Sequence, residues 1–278
     1  MKKSISIWSF PSDMKIIDCM KIAKDAGFEG IELALNETGE MGLNSSEEEV
    51  LKYKNAASQI GIKISSLATG LYWSYPLTSN NKDTREKAKN IVKKQLKNAA
   101  ILGVDTILVI PGAVGVDFIP GFEVVDYDIA YNRSLEEIKE LAYYAESKKV
   151  SIGLENVWNK FLLSPLEMRD FIDKINSPFV GAYFDVGNVI YSGYPEHWIK
   201  ILGNRIKKVH FKDYRRDVGN LFGFVDLLSG DVNYPAVVKE LQNIGYDSFV
   251  TAEMTPYKYY KEQLIYTTSL AMDKILGK

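Results

Sequence analysis

The sequence predicts a single (β/α)₈ barrel, and three observations predict it. Short apolar, β-branched runs alternate eight times with longer amphipathic stretches across the 278 residues, the pattern of repeated β-α units around a parallel sheet. Glycines fall where helices should stop before the next strand, at Gly27, Gly61, Gly103 and Gly245, because glycine takes the left-handed position after a helix at least cost. No Pro/Gly/Ser-rich linker divides the units, so residues 1–278 are expected to form one barrel domain. An open, doubly wound sheet is the alternative. Its nucleotide-binding form would carry GxGxxG after the first strand or GxxxxGK[ST], and neither occurs.

Taken in order, the first strand is read at 4–10 (SISIWSF), with a helix over 13–26. GIELAL at 30–35 leads into a helix at 46–60 that Ser45 or Ser46 can cap, and KISSLAT at 63–69 into one at 82–103 behind Asn81. TILVIPG at 106–112 is followed by a helix at 128–149, and SIGLEN at 151–156 by one at 164–175, opened by Ser164 and Pro165. VGAYFDVGN (180–188), IKKVHFKD (206–213) and SFVTAEM (248–254) are the last three strands, with helices at 195–203, 233–244 and 257–275. The long connections at 70–81, 112–127 and 213–232 each follow a strand. In a barrel that places all three at the face where active sites form, with the active site at the C-terminal ends of the strands.

Composition narrows the function. Hydrophobic residues at 46% and charged residues at 25% are globular proportions and exclude disordered and collagen-like chains. With 34 basic against 36 acidic residues and no basic run, nothing suggests a phosphodiester-binding surface, so no nucleic-acid partner is expected. Cys19 is the only cysteine, which rules out an intramolecular disulfide and a thiolate metal cluster and fits the reducing cytoplasm. The opening MKKSISIWSF sets lysines before apolar residues, but Pro11, Asp13 and Lys15 cut the run short of a signal-peptide core or a membrane span.

Late in four successive strands stand Glu155, Asp185, His210 and Glu253. Each alone has a plainer reading: a rim ion pair for either glutamate, a turn for Asp185 before Gly187 and Asn188, a hydrogen-bonded core histidine for His210. Together, one polar group per strand at matching depth points to a shared partner. Three converging carboxylates repel one another and are costly to desolvate, and one divalent metal ion offsets all of these costs. Three carboxylates with one imidazole suit Mn²⁺ or Mg²⁺ best, with Co²⁺ and Zn²⁺ also compatible. Lys212, two residues beyond His210, should point to the same side of its strand. There it would hold a substrate oxygen or pair with Glu32 or Asp185. The other histidine, His197, is read as a surface or capping residue.

With these residues in view, the sequence resembles the xylose-isomerase-like barrel superfamily, and within it the sugar-phosphate isomerase/epimerase family of ketose 3-epimerases, pentulose-5-phosphate 3-epimerases and inosose enzymes. The resemblance runs over nearly the whole chain, through AGFEGIEL (26–33), YPLTSNNKDTREKA (75–88), GLEN (153–156), FDVGN (184–188), VHFKD (209–213) and TAEM (251–254). It implies metal ligation by Glu155, Asp185, His210 and Glu253, with Glu155 and Glu253 also the catalytic acid/base pair that works through a metal-stabilised enediolate. It places a substrate-binding arginine at Arg216. It also implies a small sugar or sugar-phosphate substrate and a homo-oligomer, a dimer or tetramer. The chain departs from the free-ketose branch at Asn188, where that branch has histidine, at Phe161, where it has a second glutamate, and over 227–234. Asn188, Lys212, Arg216 and Trp158 are the expected substrate contacts, and Trp8, Tyr72, Trp73 and Phe222 are further candidates for pocket walls. A dehydratase on the same scaffold is the alternative, since it shares the first proton abstraction. An abasic-site nuclease is more distant, because it needs a histidine-rich multi-metal centre that two histidines cannot supply. A catalytically dead sugar-binding barrel is the remaining reading.

Overall fold

A computed structural model describes residues 1–278. The principal strands are β1 (Lys2–Ser6), β2 (Gly30–Ala34), β3 (Lys63–Ala68), β4 (Thr106–Val109), β5 (Ser151–Glu155), β6 (Val180–Asp185), β7 (Ile206–Phe211) and β10 (Phe249–Ala252). They close into a parallel barrel in the order β1, β10, β7, β6, β5, β4, β3, β2. A small antiparallel pair, β8 (Asp213–Tyr214) and β9 (Phe224–Val225), forms within the long connection after β7. Helices α1 (Ile16–Asp25), α2 (Glu47–Ile60), α3 (Lys82–Leu102), α4 (Tyr127–Lys148), α5 (Pro165–Ile175), α6 (Pro195–Leu202), α7 (Tyr234–Asn243) and α8 (Gln263–Leu276) alternate with the barrel strands. Each strand thus delivers its C-terminal end to the same mouth, as the eightfold alternation predicts. No helix is long and apolar enough to cross a membrane.

The helix boundaries follow local chemistry. Ser46 and Glu49 make a reciprocal capping box at the start of α2, Asn81 accepts from Asp83 and Thr84 amides at α3, and Ser164 caps α5 ahead of Pro165. Gly61 and Gly103 end their helices at φ 78° and 79°, where a β-carbon would be strained. One continuous cluster of buried apolar side chains, including Ile5, Leu33, Leu67, Ile107, Ile152 and Val209, links the strands to the helices around them.

Several expected boundaries move, for local reasons. The first strand stops at Ser6, not at residue 10: the Ser6 hydroxyl accepts from the Trp8 amide and starts a 3₁₀ turn over Ile7–Ser9. The first helix begins at Ile16, whose amide donates to Glu40 Oε2 at 3.1 Å. β6 ends at Asp185, because its carboxylate accepts the Asn188 amide at 2.8 Å and folds Gly187–Val189 into another 3₁₀ turn. β7 ends at Phe211, and Asp213 belongs to the small antiparallel pair. The last helix starts at Gln263 instead of residue 257, because Tyr260 takes a left-handed conformation at φ 51° that a right-handed helix cannot contain.

Candidate metal centre

Glu155 and Asp185 are the final residues of β5 and β6, His210 is the penultimate residue of β7, and Glu253 directly follows β10. Strand pairing fixes their common depth: Asp185 lies opposite His210 across the β6–β7 ladder, and the Glu253 amide donates to the Phe211 carbonyl at 3.1 Å. Each of the four offers one ligand atom, and those atoms lie within 4.8 Å of one another. His210 Nδ1 is 2.9 Å from Glu253 Oε2, 3.3 Å from Glu155 Oε1 and 3.8 Å from Asp185 Oδ2.

Two atoms in this cluster, Asp185 Oδ2 and His210 Nδ1, are buried with ionic contacts but no well-aligned hydrogen bond. That both face the same small space, among two further carboxylates, is what a cation-binding cradle requires. Three oxygen donors and one nitrogen fit a hard or borderline divalent ion of the Mn²⁺ or Mg²⁺ kind. Lys212 supplies part of the missing positive charge, with Nζ 3.2 Å from Asp185 Oδ2 and 3.1 Å from Glu253 Oε1. Of the two ion pairs expected for Lys212, the one with Asp185 forms. Glu32 instead faces the opposite edge of the His210 ring, and Glu253 is the second partner of Lys212.

The environment drives the two glutamates apart. Burial pushes the Glu155 carboxyl up to about 7, against the pull of His210 and Lys212. Burial acts on Glu253 in the same sense, but Lys212 and His210 outweigh it and hold that carboxyl at about 2. Burial alone would lower the His210 imidazole, yet Glu32 and the facing carboxylates hold it well above its ordinary value. Without a metal, the cluster thus balances its charge with protons on His210 and Lys212.

Backbone brackets position these four side chains. The Asn156 side chain accepts the Asp185 amide and donates to the Asp185 carbonyl, both at 2.8 Å, tying β5 to β6 at ligand level. Asn188 lines the mouth, but its Nδ2 donates to the Asn156 carbonyl at 2.9 Å, and its own carbonyl accepts from Trp158 Nε1 at 2.8 Å. Gly187 is required here, since a β-carbon would fall 2.5 Å from Lys212 Cβ. Asp213, 1% exposed, accepts four backbone amides, from Tyr214, Leu228, Gly230 and Val232, at 2.9–3.1 Å. It thereby staples the connection that carries Leu221 and Phe224 to the mouth.

The mouth encloses a cavity of about 210 Å³ with Glu155, Glu253 and Lys212 in its lining and Trp8, Trp73, Phe118, Trp158 and Phe224 among its walls. Two of the expected walls lie elsewhere. Tyr72 is buried with its hydroxyl on Gln95, and Phe222 is 89% exposed at the rim. Arg216 does not line this cavity: its guanidinium lies over the Tyr194 ring at 4.8 Å and its Nη2 reaches the Gly193 carbonyl at 3.4 Å. His197 is exposed on α6, beside Tyr194. Sequence reasoning passed over Asn156, Asp213, Phe118 and Phe224 as individual residues. Asn156 follows Glu155 in GLEN and Asp213 stands three residues after His210 in VHFKD, which was the only available signal.

At the C-terminal mouth of this closed barrel stand three carboxylates and one imidazole, a set that could hold a metal ion. The family model for xylose isomerase-like TIM barrels matches residues 20–272, and the chain belongs to that family. SgbU of Haemophilus influenzae is 25% identical over 225 residues, covering 76% of this chain and 73% of that protein. The L-ribulose-5-phosphate 3-epimerase UlaE of Escherichia coli K12 is 22% identical over 241 residues, 83% of this chain and 78% of its own. The D-psicose 3-epimerase of Clostridium cellulolyticum H10, solved with D-tagatose, superposes over 99% of both chains with a TM-score of 0.83 at 18% identity, which shows the shared fold.

Proposed function

We propose that the protein is a divalent-metal-dependent isomerase or 3-epimerase of a small ketose, a polyol-derived ketone or its phosphate. The observation that carries this reading is the placement of Glu155 and Glu253 on either side of the Asp185–His210 pair at the barrel mouth. The activities in the names of UlaE and of the psicose epimerase are consistent with it. An ion held by Glu155, Asp185, His210 and Glu253, Mn²⁺ being the preferred candidate, supplies the Lewis acidity that lets a proton leave the carbon beside a carbonyl. One glutamate takes that proton, and the other returns one to the opposite face. The aromatic walls press on the C–H faces of a sugar and keep water from the reacting carbon. Lys212 is the one cation lining the cavity, and it is already paired with Asp185 and Glu253.

A panel of ketoses and ketose phosphates incubated in D₂O with Mn²⁺ and followed by proton NMR tests the reading. Loss of a single proton signal next to the carbonyl, with appearance of the epimer, is expected for the ketose or ketose phosphate that the protein turns over. Exchange in no member of the panel would overturn the reading, and release of water with an α-dicarbonyl product would favour the dehydratase.

Metal binding should also depend on pH. Glu155 is protonated below about 7 in the metal-free protein, and His210 holds its proton above its ordinary range. Ligation requires both to give protons up. Affinity is therefore expected to rise from pH 5 to pH 8, with proton release visible when calorimetric titrations are repeated in buffers of different ionisation enthalpy. A flat profile with no proton release would contradict this charge balance.

A further inference from the structure

The AGFEGIEL motif puts Glu32 on β2, fully buried, at the edge of the His210 ring that faces away from Glu155, Asp185 and Glu253. Its carboxylate oxygens lie 3.0 and 3.2 Å from His210 Nε2. Oε2 also accepts from the Ser66 hydroxyl at 2.7 Å and the Tyr183 hydroxyl at 2.5 Å. These four side chains come from β2, β3, β6 and β7, and so span the barrel interior beneath the mouth. Both register slips in the barrel fall within this group, between Ile31 and Glu32 and between Ala182 and Tyr183. Such irregularities re-aim side chains and gather next to active sites. A barrel interior is ordinarily filled with apolar groups, and a buried carboxylate there is costly without a charged partner. The only cationic group paired with Glu32 is His210.

A carboxylate accepts and an imidazole has two distinct nitrogens, so the Glu32 contact decides which nitrogen keeps a hydrogen when only one does. We infer that Glu32 is a positioning residue for the cation site: it holds the hydrogen of His210 on Nε2 and fixes the ring angle, leaving the Nδ1 lone pair aimed at the space between Glu155, Asp185 and Glu253. Ser66 and Tyr183 fix the carboxylate in turn. This inference rests on the proposal that those four residues hold a divalent ion. Glu32 itself is not among the residues lining the substrate cavity.

Zn²⁺, which is diamagnetic, is the probe. Because the chain has only two histidines, a His197→Gln background leaves His210 as the sole imidazole in a long-range ¹H–¹⁵N correlation spectrum. The zinc-loaded protein should show hydrogen on Nε2 and metal on Nδ1. Adding Glu32→Gln should raise the zinc dissociation constant about 10- to 100-fold, measured by chelator competition on the folded variant. Tyr183→Phe removes a donor from the same carboxylate but keeps the aromatic ring that packs edge-on against His210, 4.6 Å between centroids, and should cost less than about tenfold. Hydrogen on Nδ1 in the zinc-loaded protein, or zinc affinity in Glu32→Gln within twofold of the parent, would overturn the inference. If Glu32→Gln does not fold, the tautomer in the parent decides alone. Failure of the parent to bind zinc at all defeats the cation site and this inference with it, whereas tight binding through the other nitrogen defeats only the inference.

Discussion

Replacing Glu253 with glutamine is expected to lower turnover about 10²- to 10⁴-fold at saturating metal, the range that a positioned acid or base contributes. The amide keeps the size of the side chain but can neither take a proton nor return one. Glu155→Gln should lose turnover to a similar degree, because each direction of the reaction uses one glutamate as base and the other as acid. Single-turnover exchange in D₂O tells the two apart: the variant lacking the base for a given epimer should lose solvent exchange for that epimer. Metal-free stability gives an independent check. The Glu155 carboxyl sits at about 7 in the folded protein against an ordinary value near 4.3. The folded state therefore binds more protons across that window, and stability falls as pH rises from about 4.3 through 7. Metal-free Glu155→Gln, which has no such carboxylate, should lose less stability between pH 5 and pH 8 than the parent protein. Turnover in Glu253→Gln within tenfold of the parent would remove the paired-glutamate mechanism.

Asp213→Ala should have the largest effect of any substitution outside the ligand set. Its carboxylate accepts four backbone amides of the connection after β7. Hydrogen bonds to a charged group contribute about 1.5–3 kcal/mol each and do not add fully, so a loss of about 3–5 kcal/mol is expected. Much of that loss should appear locally. Hydrogen exchange at Leu228, Gly230 and Val232 should accelerate, and kcat/KM should fall as Leu221 and Phe224 lose their fixed places at the cavity wall. Asp213→Asn keeps one acceptor oxygen and should fall between the two. Unchanged protection at those amides would show that the connection is held by other means.

The fold and the convergence of these four side chains were legible in the sequence for the same reason. Barrel strands are short, apolar and regularly spaced, so a single charged residue near the end of each of four strands stands out against its background. Glu155, Asp185, His210 and Glu253 therefore come together where strand counting places them. What was not legible depends on departures from regular strand geometry. Glu32 was visible in GIEL only as a partner for Lys212, because a register slip at Ile31–Glu32 decides that it meets His210. Arg216 lies past the end of β7 in an irregular connection, where strand periodicity says nothing about direction, and it stacks on Tyr194. Asp213 gave no signal of its own, since its partners lie up to 19 residues away in a loop whose path the sequence does not display. The shortened first and sixth strands have a common origin: Ser6 and Asp185 accept amides from the residues just beyond them and close tight turns.

The central claim is that Glu155, Asp185, His210 and Glu253 bind one divalent ion. Anomalous diffraction from crystals grown with Mn²⁺ tests it most directly. A single strong anomalous peak is expected among these four side chains, within bonding distance of His210 Nδ1 and lost in Asp185→Asn. A fully ordered cluster with no peak at saturating Mn²⁺, or a peak elsewhere in the chain, would contradict it.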